Sequence, residues 1–286
     1  MAINLPQAYS TILDQAFTLK SVTGPAFKGK FEVVGGTTNV FKVYSVTSQA
    51  MRDYTTQKNP GAPGGVGTWG FQYQQAANIE QTVTATQDKY FAIPIDKADA
   101  KFSKDGSLDA SEWMRAQMEE QILPMIDKYN ISKLIAAGTV TGTTVASTTA
   151  TAYSRFQGLM VAATNALVPS TGRVVLATAS WYALLKQDPT FTPASELTAE
   201  SRRSGNYGRI DNTLVIEVPD GYMSDPKIDA ILTHESAAAA PRYLADYNQG
   251  EFKEAASGYF VNGRVVHEAF VFGKKATAVR LLKNAA

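Results

Sequence analysis

The chain has 286 residues, with 27 basic and 26 acidic side chains, so its formal net charge is +1. This balance excludes a global electrostatic attraction to nucleic acid or to an anionic membrane. The absence of cysteine excludes disulfides, thiolate metal sites and thiol nucleophiles. Neither a secretion signal nor an apolar run of the ~20 residues that cross a bilayer is evident. We therefore expect a protein made in a cytosol, without a membrane partner.

The first third of the chain predicts an arm followed by a long β-ribbon. Residues 1–36 have too little apolar surface to fold alone, which predicts an arm that packs on something else. β-Branched and aromatic residues predict strands over 38–47 and about 79–95. Between them, five glycines and two prolines in residues 59–70 predict a flexible tip. An isolated ribbon is marginal in water, so we expect this one to lie on another surface.

One long helix is predicted over about 107–138, roughly 45 Å in length. An apolar stripe runs along it, formed by Met114, Met118, Ile122, Met125 and Tyr129. Asp127 and Lys128 are assigned to other faces of the helix. Pro124 has no N–H to donate to the carbonyl of Glu120, which predicts a bend at that point. Gly138 is predicted to end the helix.

The second half of the chain predicts a mixed sheet with helices on its faces. Predicted helices near 155–166 and 180–186 alternate with predicted strands at 173–178, 213–218 and 227–233. Residues 189–212 predict a loop, made locally basic by Arg202, Arg203 and Arg209.

Near the C-terminus, Asn262-Gly263 separates two β-rich stretches, 259–261 and 264–272. This pattern predicts a hairpin with a type I′ turn. A last strand is predicted at 276–282.

The candidate catalytic residues do not form a recognisable set. His234 and His267 are the two histidines, and neither is followed by a second histidine four residues on, so the zinc-protease pattern fails. Glu119 and Glu120 are neighbours that do not face each other on a helix, which favours an exposed face. We therefore expect no catalytic residues, no cofactor and no metal site. A hydrolase that uses aspartate and histidine is kept as a remote alternative.

Several short motifs occur in a particular order along the chain. They are Thr86-Gln87-Asp88-Lys89 with Ile95-Asp96, Pro124-Met125-Ile126-Asp127-Lys128-Tyr129 with Ser132-Lys133-Leu134, Ile216-Glu217-Val218-Pro219, and the β-rich tail at 266–276. Each motif is weak alone. In this order and at these spacings, the chain resembles the major capsid proteins of tailed bacteriophages, which share the Hong Kong 97 fold.

The resemblance implies an α+β fold of the Hong Kong 97 type. The parts that it implies are an N-terminal arm (1–36), an extended β-ribbon called the E-loop (48–88), a peripheral domain (37–47 and 89–151) with a spine helix (about 107–138), an axial α/β domain (152–252), and closing strands of the peripheral domain (253–286).

The resemblance also implies a function. Pentamers and hexamers of the chain would form an icosahedral shell around double-stranded DNA, which the shell would contact without reading its sequence. Its location would be the virion, assembled in the host cytoplasm. Further implied partners are a separate scaffolding protein, a portal and a decoration protein. An encapsulin-like nanocompartment shell is the alternative with the same fold.

Within this interpretation, two regions are predicted to contact neighbouring subunits. The predicted contact residues are Arg52, Trp69, Phe71 and Tyr73 in the ribbon, and Arg202 and Arg203 in the basic loop. Pro124 is predicted to set the bend of the spine helix.

Overall fold

The computed structural model describes most of the chain in nine stretches. These are residues 21–30, 32–33, 40–46, 51, 78–96, 110–141, 146–188, 207–251 and 258–284. The six predicted contact residues, Arg52, Trp69, Phe71, Tyr73, Arg202 and Arg203, lie outside these stretches. The chain divides into two compact units, Phe31–Val83 and the remainder.

The strands and the α-helices are numbered separately, each in chain order. The strands are β1 (Glu32–Val33), β2 (Val40–Val46), β3 (Asn78–Thr84), β4 (Gln87–Asp96), β5 (Thr139–Thr141), β6 (Arg173–Thr178), β7 (Tyr207–Ile210), β8 (Thr213–Val218), β9 (Ile228–His234), β10 (Ala238–Ala239), β11 (Arg242–Glu251), β12 (Gly258–His267), β13 (Phe270–Val271) and β14 (Arg280–Lys283). The α-helices are α1 (Ala110–Gln117), α2 (Leu123–Ala137), α3 (Ala152–Asn165) and α4 (Ala179–Gln187).

The smaller unit contains a three-stranded sheet in the order β1-β2-β3. Strands β2 and β3 are joined by an ion pair of 2.5 Å between Lys42 Nζ and Glu80 Oε1. The Ser45 hydroxyl also donates to the Ile79 carbonyl, at 3.4 Å. The two strands of the predicted ribbon therefore do pair, and β1 extends their sheet from a stretch that was predicted as part of the arm.

The predicted strand over 79–95 is two strands in different sheets. Strand β3 stays in the ribbon, whereas β4 joins a second three-stranded sheet in the order β11-β12-β4. Strand β12 lies in the middle and pairs antiparallel with both neighbours, with β4 in register along its whole length.

The hairpin predicted at Asn262-Gly263 is wrong, because β12 runs straight through both residues. Each half of β12 pairs with β4 on one side and β11 on the other, so the two halves do not need to pair with each other. Gly263 lies directly opposite Phe91 of β4. An aromatic residue across from a glycine covers the backbone that the glycine leaves open, which stabilises glycine in a strand.

The predicted long helix is present over residues 110–137, and we keep the name spine helix for this range. It consists of α1, a π-helical turn at Met118–Ile122, and α2. In the wide turn, the Leu123 N–H donates to the Met118 carbonyl five residues earlier. Pro124 is the second residue after this turn. Prolines and π turns are the usual sites of helix kinks, and the bend predicted at Pro124 stays a prediction.

The wide turn keeps one apolar face of the spine helix directed at β12. Met114 packs with Val261, and Ile122 and Ile126 pack with Val265. On a regular helix, the twelve-residue step from Met114 to Ile126 would leave the two side chains about 120° apart around the helix axis. The extra residue of a π turn reduces this angle by about 100°. The two ends of this stretch therefore reach the same strand.

The C-terminal half of the spine helix packs on a different sheet. Six strands form it, in the order β5-β14-β9-β6-β8-β7. Ile131 and Leu134 contact one face of this sheet, together with Val22 of the N-terminal stretch. Helices α3 and α4 cover the opposite face, where Phe156 and Trp181 are almost fully buried. The predicted mixed sheet with helices on its faces is confirmed.

Strands β5 and β14 lie in the same six-stranded sheet as β6, β8 and β9. The resemblance assigns β5 and β14 to the peripheral domain and the other three to the axial domain. The division into arm, E-loop, peripheral and axial domains stays a prediction.

Gly138 ends the spine helix in extended backbone, with φ −79° and ψ 147°. Its φ is therefore one that any residue adopts, and the left-handed cap expected of a terminal glycine is not used. A Cβ at this position would lie 2.6 Å from Leu281 Cγ of β14. Glycine is needed here because the helix end and β14 approach closely.

We expect Gly138→Ala to lower the free energy of unfolding by roughly 1–3 kcal/mol, because the added methyl overpacks the contact with Leu281. The matched control is Gly158→Ala in α3, where a Cβ meets nothing within 4 Å. This control should raise stability by about 0.5–1 kcal/mol, since alanine is the better helix former. Chemical denaturation of both variants measures the two effects, and equal effects would contradict the packing argument.

Candidate functional site: the Glu268 junction and the Asp127 anchor

Two of the motifs found in the sequence meet at a single buried carboxylate, Glu268, which is 2% exposed. Its Oε2 accepts hydrogen bonds from the Thr86 N–H at 2.9 Å and the Thr86 hydroxyl at 2.6 Å. Its Oε1 accepts from the Tyr129 hydroxyl at 2.5 Å and pairs with Lys133 Nζ at 3.0 Å. We call these four residues the Glu268 junction.

Three distant segments of the chain supply the junction. Thr86 lies between β3 and β4, and Glu268 directly follows β12. Tyr129 and Lys133 are four residues apart on α2, so they project from one face of the helix. Lys133 Nζ also lies 5.1 Å from the centre of the Tyr129 ring, a cation–π contact. The junction thus fixes the start of β4 and the end of β12 to the spine helix.

The junction keeps Glu268 ionised. Burial pushes the pKa of Glu268 upward, but hydrogen bonds from Thr86, Tyr129 and Lys133 outweigh burial and lower the pKa to about 2. Burial alone would lower the pKa of Lys133, but the contacts of Lys133 with Tyr129 and Glu268 outweigh burial and raise the pKa. Carboxylate and ammonium are therefore both charged at neutral pH.

A second buried carboxylate, Asp127, anchors the N-terminal stretch to the spine helix. Its Oδ1 accepts from the Ser21 hydroxyl at 2.8 Å and the Thr23 hydroxyl at 2.6 Å. Its Oδ2 accepts from the Val22 N–H at 2.9 Å. Asn130, one turn along, donates to the Thr23 hydroxyl at 3.0 Å. We call Asp127 with its three partners the Asp127 anchor.

Asp127 is 3% exposed. The N-terminal stretch covers it and donates hydrogen bonds to both of its oxygens, and the sequence pattern had not indicated this burial. Asp127 and Tyr129 of one motif hold different segments: the first holds residues 21–23, and the second holds the start of β4.

The Thr86-Gln87-Asp88-Lys89 motif makes one further tie. Asp88 of β4 and Arg264 of β12 form two hydrogen bonds, of 2.9 and 2.5 Å. Both side chains are about half exposed. Solvent screens exposed pairs of this kind, so this pair contributes more to the register of the two strands than to stability.

The histidines do not form a catalytic set. His234 Nε2 lies 2.9 Å from the Thr171 carbonyl, which requires Nε2 to carry the proton. Its Nδ1 then accepts from the N–H and the hydroxyl of Ser236. The Thr171 carbonyl therefore orients the His234 ring. His234 Nδ1 accepts both hydrogen bonds from Ser236, two residues later in the same turn. His267 lies in the wall of the Glu268 junction. Glu119 and Glu120 both fall in the π turn and are half-buried, not on a fully exposed face.

In the part of the chain that the structure describes, no group of three or more histidine, aspartate or glutamate side chains is placed to hold a metal ion. No helix among these residues is long and apolar enough to cross a membrane.

Sequence reasoning missed the most important residues of the site, namely Glu268, Asp127 and Asn130. Glu268 had a usable signal, since it follows Val265, Val266 and His267 and precedes Ala269, Phe270 and Val271. A single acid within an apolar run predicts a buried carboxylate that needs partners. Which partners it finds depends on tertiary structure and has no local signal.

Solved structures with the same fold come from bacteriophages. One chain from Mycobacterium phage Che8 matches with a TM-score of 0.72 and 19% identity, over 98% of both chains. The capsid structure of cyanophage P-SCSP1u matches with a TM-score of 0.67 and 12% identity, over 97% of this chain and 92% of that one. The mature capsid of bacteriophage PhiM1 matches with a TM-score of 0.68 and 11% identity, over 98% and 92%.

No family model and no curated protein sequence matches the chain. At these low identities the structural likeness establishes the fold, which is an α+β fold that phage capsid chains adopt.

We expect Glu268→Gln to lower the free energy of unfolding by about 3 kcal/mol at pH 7, because Lys133 loses its buried partner and one amide hydrogen faces a donor. The pKa of Glu268 is depressed from 4.5 to about 2. Its stabilising effect is therefore full above pH 4.5 and is lost as the pH falls towards 2. The difference between wild type and variant should shrink over that interval.

Chemical denaturation at several pH values measures this difference. The matched control is Glu235→Gln, which removes a largely exposed ion pair with Lys28 and should change stability by less than about 1 kcal/mol. A pH-independent difference for Glu268→Gln would contradict the assignment.

Proposed function

We propose that the chain is a major capsid protein, which assembles into pentamers and hexamers of an icosahedral shell around double-stranded DNA. The observation that supports this proposal is the fold, which follows that of phage capsid chains over nearly the whole length of both proteins. The virion is then its location, and the host cytoplasm is the place of assembly.

Assembly in this proposal depends on segments that extend from a fixed body. The Glu268 junction holds the point where the ribbon leaves β4, and the Asp127 anchor holds the point where the arm reaches the spine helix. Thr86 and residues 21–23, which border the two segments, would then be held in place. A ribbon with a fixed base loses less conformational entropy when it binds a neighbour, so more of its contact energy remains for assembly.

The ribbon offers apolar surface for a neighbouring copy. In the described part of the smaller unit, Tyr44 is 56% exposed and Ile79 is 47% exposed. Burial of apolar area contributes about 25 cal/mol per Å². Each contact is modest, and closed symmetry repeats it in every copy. We assign the ribbon residues Arg52, Trp69, Phe71 and Tyr73, and the loop residues Arg202 and Arg203, to contacts between subunits.

The remaining parts of the proposal follow from a shell around DNA. The net charge of +1 suits an inner surface that tolerates DNA without reading its sequence. A separate scaffolding protein, a portal and a decoration protein complete the proposed partners. The arm, E-loop, peripheral domain and axial domain keep the boundaries given by the resemblance.

Negative-stain microscopy and sedimentation of the expressed chain test the proposal. We expect closed shells of uniform diameter. The double variant Trp69→Ala/Phe71→Ala should form few or no shells. The free energy of unfolding of its unassembled chain should stay within about 0.5 kcal/mol of wild type, the range of surface substitutions. A small monomer with hydrolase activity would contradict the proposal. Shells that enclose a cargo enzyme would instead indicate a nanocompartment.

Pro124 gives a second test, through the shape of the shell. In Pro124→Ala, the new N–H can donate to the carbonyl of Glu120, so the π turn is no longer favoured and the spine helix should straighten. We expect altered shell curvature or failed closure in electron micrographs. The control is Gln121→Ala, an exposed position in the same turn. Unchanged shell geometry in Pro124→Ala would refute the assigned bend.

A further inference from the structure

His267 is buried in the wall of the Glu268 junction with its hydrogen-bonding groups unused. It is the last residue of β12 and is 2% exposed. Neither Nδ1 nor Nε2 has a hydrogen-bond partner among the residues that the structure describes. Its ring meets the Tyr129 ring edge-on, with 5.3 Å between the ring centres. Tyr129 in turn donates the 2.5 Å hydrogen bond to Glu268.

The charged and titratable groups around His267 come from four elements. Glu268 follows it in the chain, Tyr129 and Lys133 project from the spine helix, Arg242 lies opposite it on β11, and Lys89 lies on β4. Burial lowers the pKa of His267, the Glu268 charge works in the opposite direction, and the charges of Arg242 and Lys89 lower it further. The ring is therefore neutral at neutral pH.

A protonated ring does not fit this place. Imidazolium has two N–H donors, each of which needs an acceptor when buried. Glu268 is the anion whose charge acts on His267, but both its oxygens already accept from Thr86, Tyr129 and Lys133. Protonation can be accommodated only if the ring leaves its contact with Tyr129 or if a donor leaves Glu268. Either movement opens the junction.

We propose that His267 is an acid-sensitive latch, whose protonation releases Thr86 from Glu268 and frees the start of β4. The latch operates within one chain and does not depend on the proposed function. In a shell, it would loosen the base of every ribbon at the same pH.

The direction and range of the effect follow from linkage. A histidine that is harder to protonate in the folded state than in the opened state stabilises the closed junction above the ordinary pKa of 6.5, and this stabilisation is lost as the pH falls below that value. Between pH 7.5 and 5.5 the opening equilibrium should increase by up to about tenfold. Glu268 itself titrates lower, between 4.5 and about 2, so the two effects fall in separate pH ranges.

Hydrogen exchange of the Thr86 amide reports directly on the latch, because this N–H donates to Glu268 Oε2 at 2.9 Å. Exchange can be followed by mass spectrometry on the full chain, with rates corrected for the intrinsic effect of pH. In the wild type, we expect the protection of Thr86 to fall by up to about tenfold between pH 7.5 and 5.5.

Two variants identify the group responsible, since the chain has two histidines. His267→Phe keeps an aromatic ring against Tyr129 and removes the titration, so Thr86 protection should become independent of pH over this range. The His267→Phe variant should fold, because no hydrogen bond of the ring nitrogens is lost among the described residues. If it does not fold, His267→Gln also removes the titration and provides the same comparison. His234→Gln should keep the wild-type fall.

Three results would overturn the proposal. The first is constant Thr86 protection in the wild type between pH 7.5 and 5.5. The second is an unchanged fall in His267→Phe or His267→Gln. The third is a fall that disappears in His234→Gln.

Discussion

The carboxylate of Glu268 is the constraint on which the rest of the main unit depends. An ionised carboxylate that is 2% exposed is strongly unfavourable unless its oxygens are hydrogen-bonded and its charge is paired. Thr86, Tyr129 and Lys133 meet this need, and they come from two segments that are far from Glu268 in the chain. The spine helix, the start of β4 and the end of β12 are therefore held in one arrangement, because any other arrangement leaves a buried charge without partners.

The spine helix connects two packing regions that would otherwise be separate. Its first half packs on β12 through Met114, Ile122 and Ile126, and its second half packs on the six-stranded sheet through Ile131 and Leu134. The π turn adjusts the phase between the halves. Polar residues on the same helix then bind segments that leave the body: Asp127 holds the N-terminal stretch, and Tyr129 helps to hold the base of the ribbon. One helix thus links the core to both segments that the proposed function assigns to assembly.

The parts of this structure with a local signal could be predicted from the sequence. The helix of 110–137, the paired ribbon strands and the mixed sheet follow from periodicity and β-propensity, which act over a few residues. The hairpin predicted at Asn262-Gly263 was wrong because its turn signal is local. The pairing of β12 with β4 and β11 is long-range, and it keeps both residues in a continuous strand. The burial of Asp127 had no local signal either, since the chain that covers it lies about a hundred residues earlier. The buried carboxylates needed their partners to be known, and those partners come from other parts of the fold.

In the proposed shell, the Glu268 junction fixes the base of a ribbon that joins one subunit to the next. A cryo-electron microscopy map of the assembled particle at side-chain resolution would show whether it does. We expect Glu268 to contact Thr86, Tyr129 and Lys133 in every copy. We also expect residues 48–88 to lie across a neighbouring subunit, with Trp69 and Phe71 buried there. A map in which the ribbon folds back on its own subunit, or in which Glu268 has separated from Thr86 while the shell stays intact, would contradict it.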